Sequence, residues 1–173
     1  IIHWEIKVEG NYSEKAKMSL SIAAKWAKKL RQSYIGSEHI LLGLVLNTES
    51  MAGSVLAANK VDSGKLTDMI RDMISFNTAL AIESREEYHP RARGILEEAV
   101  KLAARFGQEL IGTEHILLAL IKEGENVAVR LLATMGVNPM KVYADTLAAM
   151  GQDPRVARED LMQHGSDQGD RMS

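Results

Sequence analysis

The residues best placed to do chemistry in this chain are two Glu-His pairs, Glu38–His39 and Glu114–His115. A carboxylate beside an imidazole can pass a proton as general acid and base. A carboxylate in the first turn of a helix can instead hold a cation, making a charge-assisted hydrogen bond to a guanidinium or ammonium group. Left to itself, it only offsets the helix dipole. For Glu38 and Glu114 these last two uses stand level on sequence alone. His39 and His115 read as partly buried helix residues whose hydrogen bonds are met. Zinc is excluded by spacing, because no second His lies one turn from either pair and no HExxH occurs. Nucleotide chemistry has no foothold either. The only Gly-Lys pair, Gly64–Lys65, lacks the earlier glycine of a phosphate-binding loop. A GxSxG nucleophile turn is also absent. No known metal, nucleotide or nucleophile motif accompanies the two Glu-His pairs.

Each pair sits in a decapeptide that is written twice. IGSEHILLGL occupies residues 35–44 and IGTEHILLAL residues 111–120, with only Ser37/Thr113 and Gly43/Ala119 changed. Sliding the chain by 76 positions sets residues 13–74 against 89–150, and 20 of those 62 pairs are identical without a gap. Self-similarity at a fixed spacing marks an internal repeat. The chain is a tandem duplication.

The elements that must carry the pairs are helical. In residues 13–32, Ala16, Leu20, Ala23, Ala24, Ala27 and Leu30 recur at spacings of three and four, so the segment is an amphipathic helix. Its copy spans 89–108, with Pro90 where a first helical residue tolerates proline, and it ends near Gly107. Gly36 and Gly112 then allow a tight turn, and Ser37 and Thr113 are expected to cap a second helix. That helix is almost wholly apolar, so it belongs in the core, with Leu41 and Leu117 fully buried. A third helix follows in ESMAGSVLAANK and ENVAVRLLATMG. A fourth starts at Asp62–Ser63 and Asn138–Pro139. The expected fold is all-α: a four-helix unit in tandem duplication, eight helices related by a pseudo-twofold, with a short extended N-terminal segment.

The expected division is an extended segment over 1–12, repeat 1 over 13–76, an inter-repeat loop over 77–88, repeat 2 over 89–151 and a tail over 152–173. Ile2, Trp4, Ile6 and Val8 alternate with polar residues, which is strand periodicity. The polar tail reads as a short helical extension followed by a flexible linker.

Composition narrows the classes. An apolar fraction of 46% suits a packed globule. A formal charge of −2 argues against nucleic-acid binding, which usually shows a basic excess. No cysteine is present, so neither disulfides nor thiolate zinc sites can form, which is compatible with a reducing cytoplasm. No apolar run approaches a membrane span and no signal-peptide pattern opens the chain. The lysines of the first helix (Lys15, Lys25, Lys28, Lys29) read as a solvated face that could also steer an acidic partner.

The doubled IG[ST]EHILL[GA]L, each copy behind an amphipathic helix, resembles the N-terminal repeat domain of ClpC-type Clp AAA+ unfoldases. YSEKA is similar to that family's FTERA start, YHPRARGILEEA to YTPRAKKVLELA, and IKEGENVAVRLLATMGV to its IREGEGVAARVL segment. The match covers residues 12–151. The resemblance implies a compact double four-helix domain tethered ahead of ATPase rings in a cytoplasmic protein. It would recruit adaptor and substrate proteins for unfolding and, with ClpP, degradation. It implies no cofactor, no catalysis by this domain, no nucleic acid and no membrane. In Gram-positive members each repeat carries a pocket for phosphorylated arginine, where a Glu takes the guanidinium and a Thr at the start of the first helix takes the phosphate. Those glutamates map to Glu38 and Glu114, and the threonines to Ser13 and His89. Ser13 keeps a hydroxyl and His89 does not, so phosphoarginine is expected to bind near Ser13 and Glu38 more tightly than near His89 and Glu114. A small all-α enzyme using a Glu-His pair, or a stand-alone helical interaction protein, are the alternative readings.

Overall fold

The computed structural model describes residues 10–75 and 88–162. The expected strand over 1–9, the inter-repeat loop apart from residue 88, and the end of the tail lie outside the described residues. Eight helices are delimited: α1 (Glu14–Lys29), α2 (Ser37–Leu46), α3 (Met51–Ala58), α4 (Ser63–Ser75), α5 (Pro90–Arg105), α6 (Thr113–Glu123), α7 (Val127–Thr134) and α8 (Pro139–Ala149). Residues 156–162 are also helical. Among the described residues there is no strand, only two isolated parallel bridges. The fold is all-α, as the periodicity implied, and α1–α4 and α5–α8 repeat one plan.

The two apolar helices sit in the centre. α2 packs on α1, α3, α4, α5, α6 and α7, and α6 packs on α1, α2, α3, α5, α7 and α8. Leu41 and Leu117 are both 0% exposed. A single core cluster runs through both repeats, from Tyr12 and Leu20 to Val142 and Leu147. One difference inside the decapeptide has a steric cause. A Cβ on Gly43 would meet the carbonyl of Ser19 closer than real Cβ atoms approach, so α1 crosses α2 at van der Waals distance there. Ala119, its counterpart, is accommodated and fully buried.

Sequence assigned Ser37 and Thr113 as N-caps, and this is corrected. The N-caps are Gly36 and Gly112, and the two hydroxyl residues are the first helical residues. Their hydroxyls cap the third helix of the opposite repeat. Ser37 Oγ accepts from the Ala128 N–H of α7 at 3.1 Å, and Thr113 Oγ1 from the Ala52 N–H of α3 at 3.2 Å. Asn126 and Ser50 take the next amide of the same helices, Val129 and Gly53. Each third helix therefore has two of its orphan donors met, one locally and one across the pseudo-twofold.

The chain beyond repeat 2 is anchored to it. Asp160 is 7% exposed and accepts from both terminal nitrogens of Arg105, at 3.0 and 3.3 Å, and from the Tyr143 hydroxyl at 2.7 Å. Burial and that carboxylate hold the Tyr143 phenol well above its usual range. A bidentate guanidinium with a further donor is what a buried carboxylate requires.

Candidate functional site

The two bridges decide which residues share a site. The Ile111 N–H donates to the Asn11 carbonyl at 2.7 Å, and the Ser13 N–H to the Ile111 carbonyl at 2.9 Å. In the other copy the His89 N–H donates to the Ile35 carbonyl at 2.8 Å. The residue before each decapeptide's glycine is thus paired with the lead-in to the other repeat's first helix. Tyr12 and Tyr88, buried at 4% each, fix those lead-ins in the core. Glu38 therefore faces the start of α5, with His89. Glu114 faces the start of α1, with Ser13. The expected pairing of Ser13 with Glu38 and of His89 with Glu114 is overturned: the sites are crossed between repeats.

Within each site the Glu and His side chains diverge. The carboxylate of Glu38 folds back over Gly36, so closely that a Cβ there would collide with it, and Glu114 lies over Gly112 in the same way. Turn geometry does not require the glycine, and the flexible end of the glutamate would move aside for a Cβ. Gly36 has φ −102° and Gly112 −96°, values open to any residue. His39 Nδ1 accepts from the Gly36 N–H at 2.9 Å, and His115 Nδ1 from the Gly112 N–H at 2.9 Å. Both imidazoles are 1% exposed, and among the described residues neither Nε2 has a hydrogen-bond partner. Burial lowers both histidine pKa values, against a smaller upward pull from the adjacent glutamate. A neutral imidazole spent on a backbone cap and closed off from solvent is not placed to shuttle protons, so the Glu-His pairs do not make an acid–base dyad. Among the described residues no group of three His, Asp or Glu side chains could hold a metal ion.

The helix starts differ. Ser13 Oγ accepts from the Ala16 N–H at 3.1 Å as the N-cap of α1; among the described residues its hydroxyl donates to no partner, and the Glu14 and Lys15 amides of the first turn have no intrahelical acceptor. His89 Nδ1 caps α5 by accepting from the Arg91 N–H at 3.1 Å, and Pro90 has no N–H to offer. The Glu38 site opens into a cleft of about 480 Å³ whose walls include Tyr34, His89, Arg91, Glu125 and Arg130. Tyr34 is 46% exposed and packs edge-on against the His89 ring, 4.9 Å between centroids. Arg91, Arg130 and Glu125 did not emerge from the sequence, since their role depends on the crossing. Helix starts and carboxylates of this kind can bind a ligand that carries an anion and a cation together.

The family model described as the Clp repeat (R) N-terminal domain matches residues 11–83 and 87–168. The chain belongs to the Clp repeat N-terminal domain family. It is 36% identical over 144 residues to the Bacillus subtilis (strain 168) negative regulator of genetic competence ClpC/MecB, covering 83% of this chain and 18% of that protein. It is 34% identical over 148 residues to the chaperone protein ClpB of Oceanobacillus iheyensis, covering 86% of this chain and 18% of the relative. The N-domain of ClpV from Vibrio cholerae superposes with a TM-score of 0.61 at 18% identity, over 88% of this chain and 91% of that one, which speaks for the fold. The resemblance to a ClpC-type Clp N domain stands. The chain spans about a fifth of the length of the ClpC and ClpB relatives it matches.

Proposed function

We propose that this Clp N domain is a recognition module for a cytoplasmic Clp unfoldase system, receiving adaptor and substrate proteins for ATPase rings and, with ClpP, degradation. Segments carrying arginine or phosphoarginine are captured at two crossed sites, Glu38 with His89 and Glu114 with Ser13. The observation that supports this is the crossing itself: twice in the chain, a half-buried carboxylate is held against a helix start of the other repeat. The carboxylate accepts the guanidinium, and the facing helix start and its flanking side chains hold the phosphoryl group. A duplicated surface site suits a binding module, whereas an enzyme would concentrate its groups in one asymmetric cleft.

Calorimetric titration of a phosphoarginine peptide and its unphosphorylated twin tests the reading. The wild type binds the phosphorylated peptide more tightly. A charge-assisted hydrogen bond contributes about 1.5–3 kcal/mol, so Glu38→Ala or Glu114→Ala weakens binding at its own site about tenfold or more. Equal, weak binding of both peptides to all three proteins would reduce the domain to general adaptor docking.

A further inference from the structure

The two crossed sites are not equivalent in charge. The Glu38 cleft sets Arg91 and Arg130 against Glu38 and Glu125, two positive against two negative. Shifting by the repeat spacing of 76 gives the corresponding residues for the Glu114 site: Lys15 for Arg91, Ser54 for Arg130, Glu49 for Glu125 and Glu109 for Ser33. That is one positive against three negative.

The cations also differ in freedom. Lys15 Nζ is drawn to the Glu49 carbonyl at 2.9 Å. Arg91 is held by Glu123 at 2.6 Å on the rim. Arg130 is exposed, and no ion pair among the described residues engages it. It stands one turn into α7, whose N-cap Asn126 and first residue Val127 also line the cleft.

We infer that the Glu38 cleft is the phosphate-reading site, with Arg130 and Arg91 as its specificity-determining residues, and that the Glu114 site takes an unphosphorylated arginine side chain. This rests on the recognition role proposed above and assigns different ligands to its two sites. Phosphorylation places a strongly negative group on the guanidinium. In the Glu38 cleft the carboxylates receive the remaining N–H donors while the arginines face the phosphoryl oxygens. Around Glu114 the same phosphoryl group enters an acidic surround. Ser13 and two amides offer neutral donors, and charge-assisted bonds are roughly twice as strong as neutral ones. The hydroxyl at Ser13 is therefore the weaker determinant. The planar forks of two arginines match phosphoryl oxygens in a way that a lone lysine does not.

The test titrates free phosphoarginine and free arginine into the 173-residue chain, with heteronuclear NMR assigning each response to a site. Arg130 and Ser54 are exposed, so their variants keep the fold. Phosphoarginine shifts the Glu38 site first. Arg130→Gln weakens that binding about tenfold or more and leaves arginine binding near Glu114 unchanged. The phosphoarginine response at the Glu38 site persists in Ser13→Ala, whose effect is confined to the Glu114 site. Ser54→Arg, which installs the missing cation, adds phosphoarginine binding at the Glu114 site. If phosphoarginine binding survives Arg130→Gln and is lost with Ser13→Ala, the division of ligands is overturned while phosphoarginine recognition stands. If the wild type binds arginine but not phosphoarginine at either site, both are overturned.

Discussion

At residue scale, the two imidazoles beside Glu38 and Glu114 are buried groups whose protonation opposes the fold. His39 and His115 occupy the third helical position and accept the N–H of the glycine cap, a place where Gln or Glu is the common choice. Each imidazole is buried and its pKa lies below the usual 6.5. Between the lowered folded value and about 6.5 the unfolded chain binds more protons than the folded one. The histidines' full contribution is therefore present above pH about 6.5 and is lost as the pH falls through that window. The loss is up to about 1.4 kcal/mol per pH unit per histidine. His39→Gln with His115→Gln keeps the cap and removes the titration. Urea midpoints at pH about 7.5 and about 5.5 are expected to fall less in the double variant than in the wild type. Equal falls would place the acid sensitivity in other groups.

At the scale of elements, the repeats differ where their helices stop. The matched helices α1 and α5, and α3 and α7, end in the same motif, in which the residue after the cap turns left-handed. In repeat 2 that residue is Gly107 after α5 and Gly136 after α7, with φ +69° and +80°. In repeat 1 it is Arg31 after α1 and Lys60 after α3, with φ +58° and +63°. The hydrogen bonds match: Gln32 N–H to Ala27 and Val61 N–H to Leu56 mirror Gln108 to Ala103 and Val137 to Leu132. The left-handed region costs a non-glycine residue about 1–2 kcal/mol, partly offset by the greater entropy of glycine in the unfolded chain. Arg31→Gly and Lys60→Gly are each expected to raise stability by about 0.5–1 kcal/mol, read as a higher urea midpoint with an unchanged slope. No change would mean that the longer side chains make compensating contacts. Helix identity, order and most boundaries were legible because apolar spacing and punctuation by Ser, Asn, Pro and Gly are local. The caps by Ser37 and Thr113 were misread because their acceptor role is spent on α7 and α3, 91 and 61 residues away in sequence.

At the scale of the molecule, the duplication is interlocked rather than end to end, which is why sequence offers candidate site residues singly but not which of them face each other. A glutamate in a doubled motif signals a site. Which helix start it faces depends on how two copies of one plan embrace, and no spacing within a copy records that. The interlock uses the two parallel bridges, the two crossed hydroxyl caps, and a clasp in which Asn59 at the end of α3 donates to Asp145 of α8 at 3.0 Å. Lys141 reinforces the clasp, bonding Asp145 at 2.8 Å and Asn59 at 3.2 Å. Cutting between the repeats removes all of these at once. It leaves the Ala128 amide without its hydroxyl partner and exposes the faces of α6 and α8 that α2 and α3 cover. A unit of that size also buries a small fraction of its surface and is marginal on size alone. Residues 88–162 expressed alone are therefore expected to lack a cooperative urea transition, and mixing them with residues 10–87 should restore it. The restored complex should also regain phosphoarginine binding, because each site takes its carboxylate from one half and its helix start from the other. A cooperative transition in the isolated half, at the midpoint of the whole domain, would show that the crossing contributes little to stability. Binding by one half alone would show that the sites are not shared between repeats.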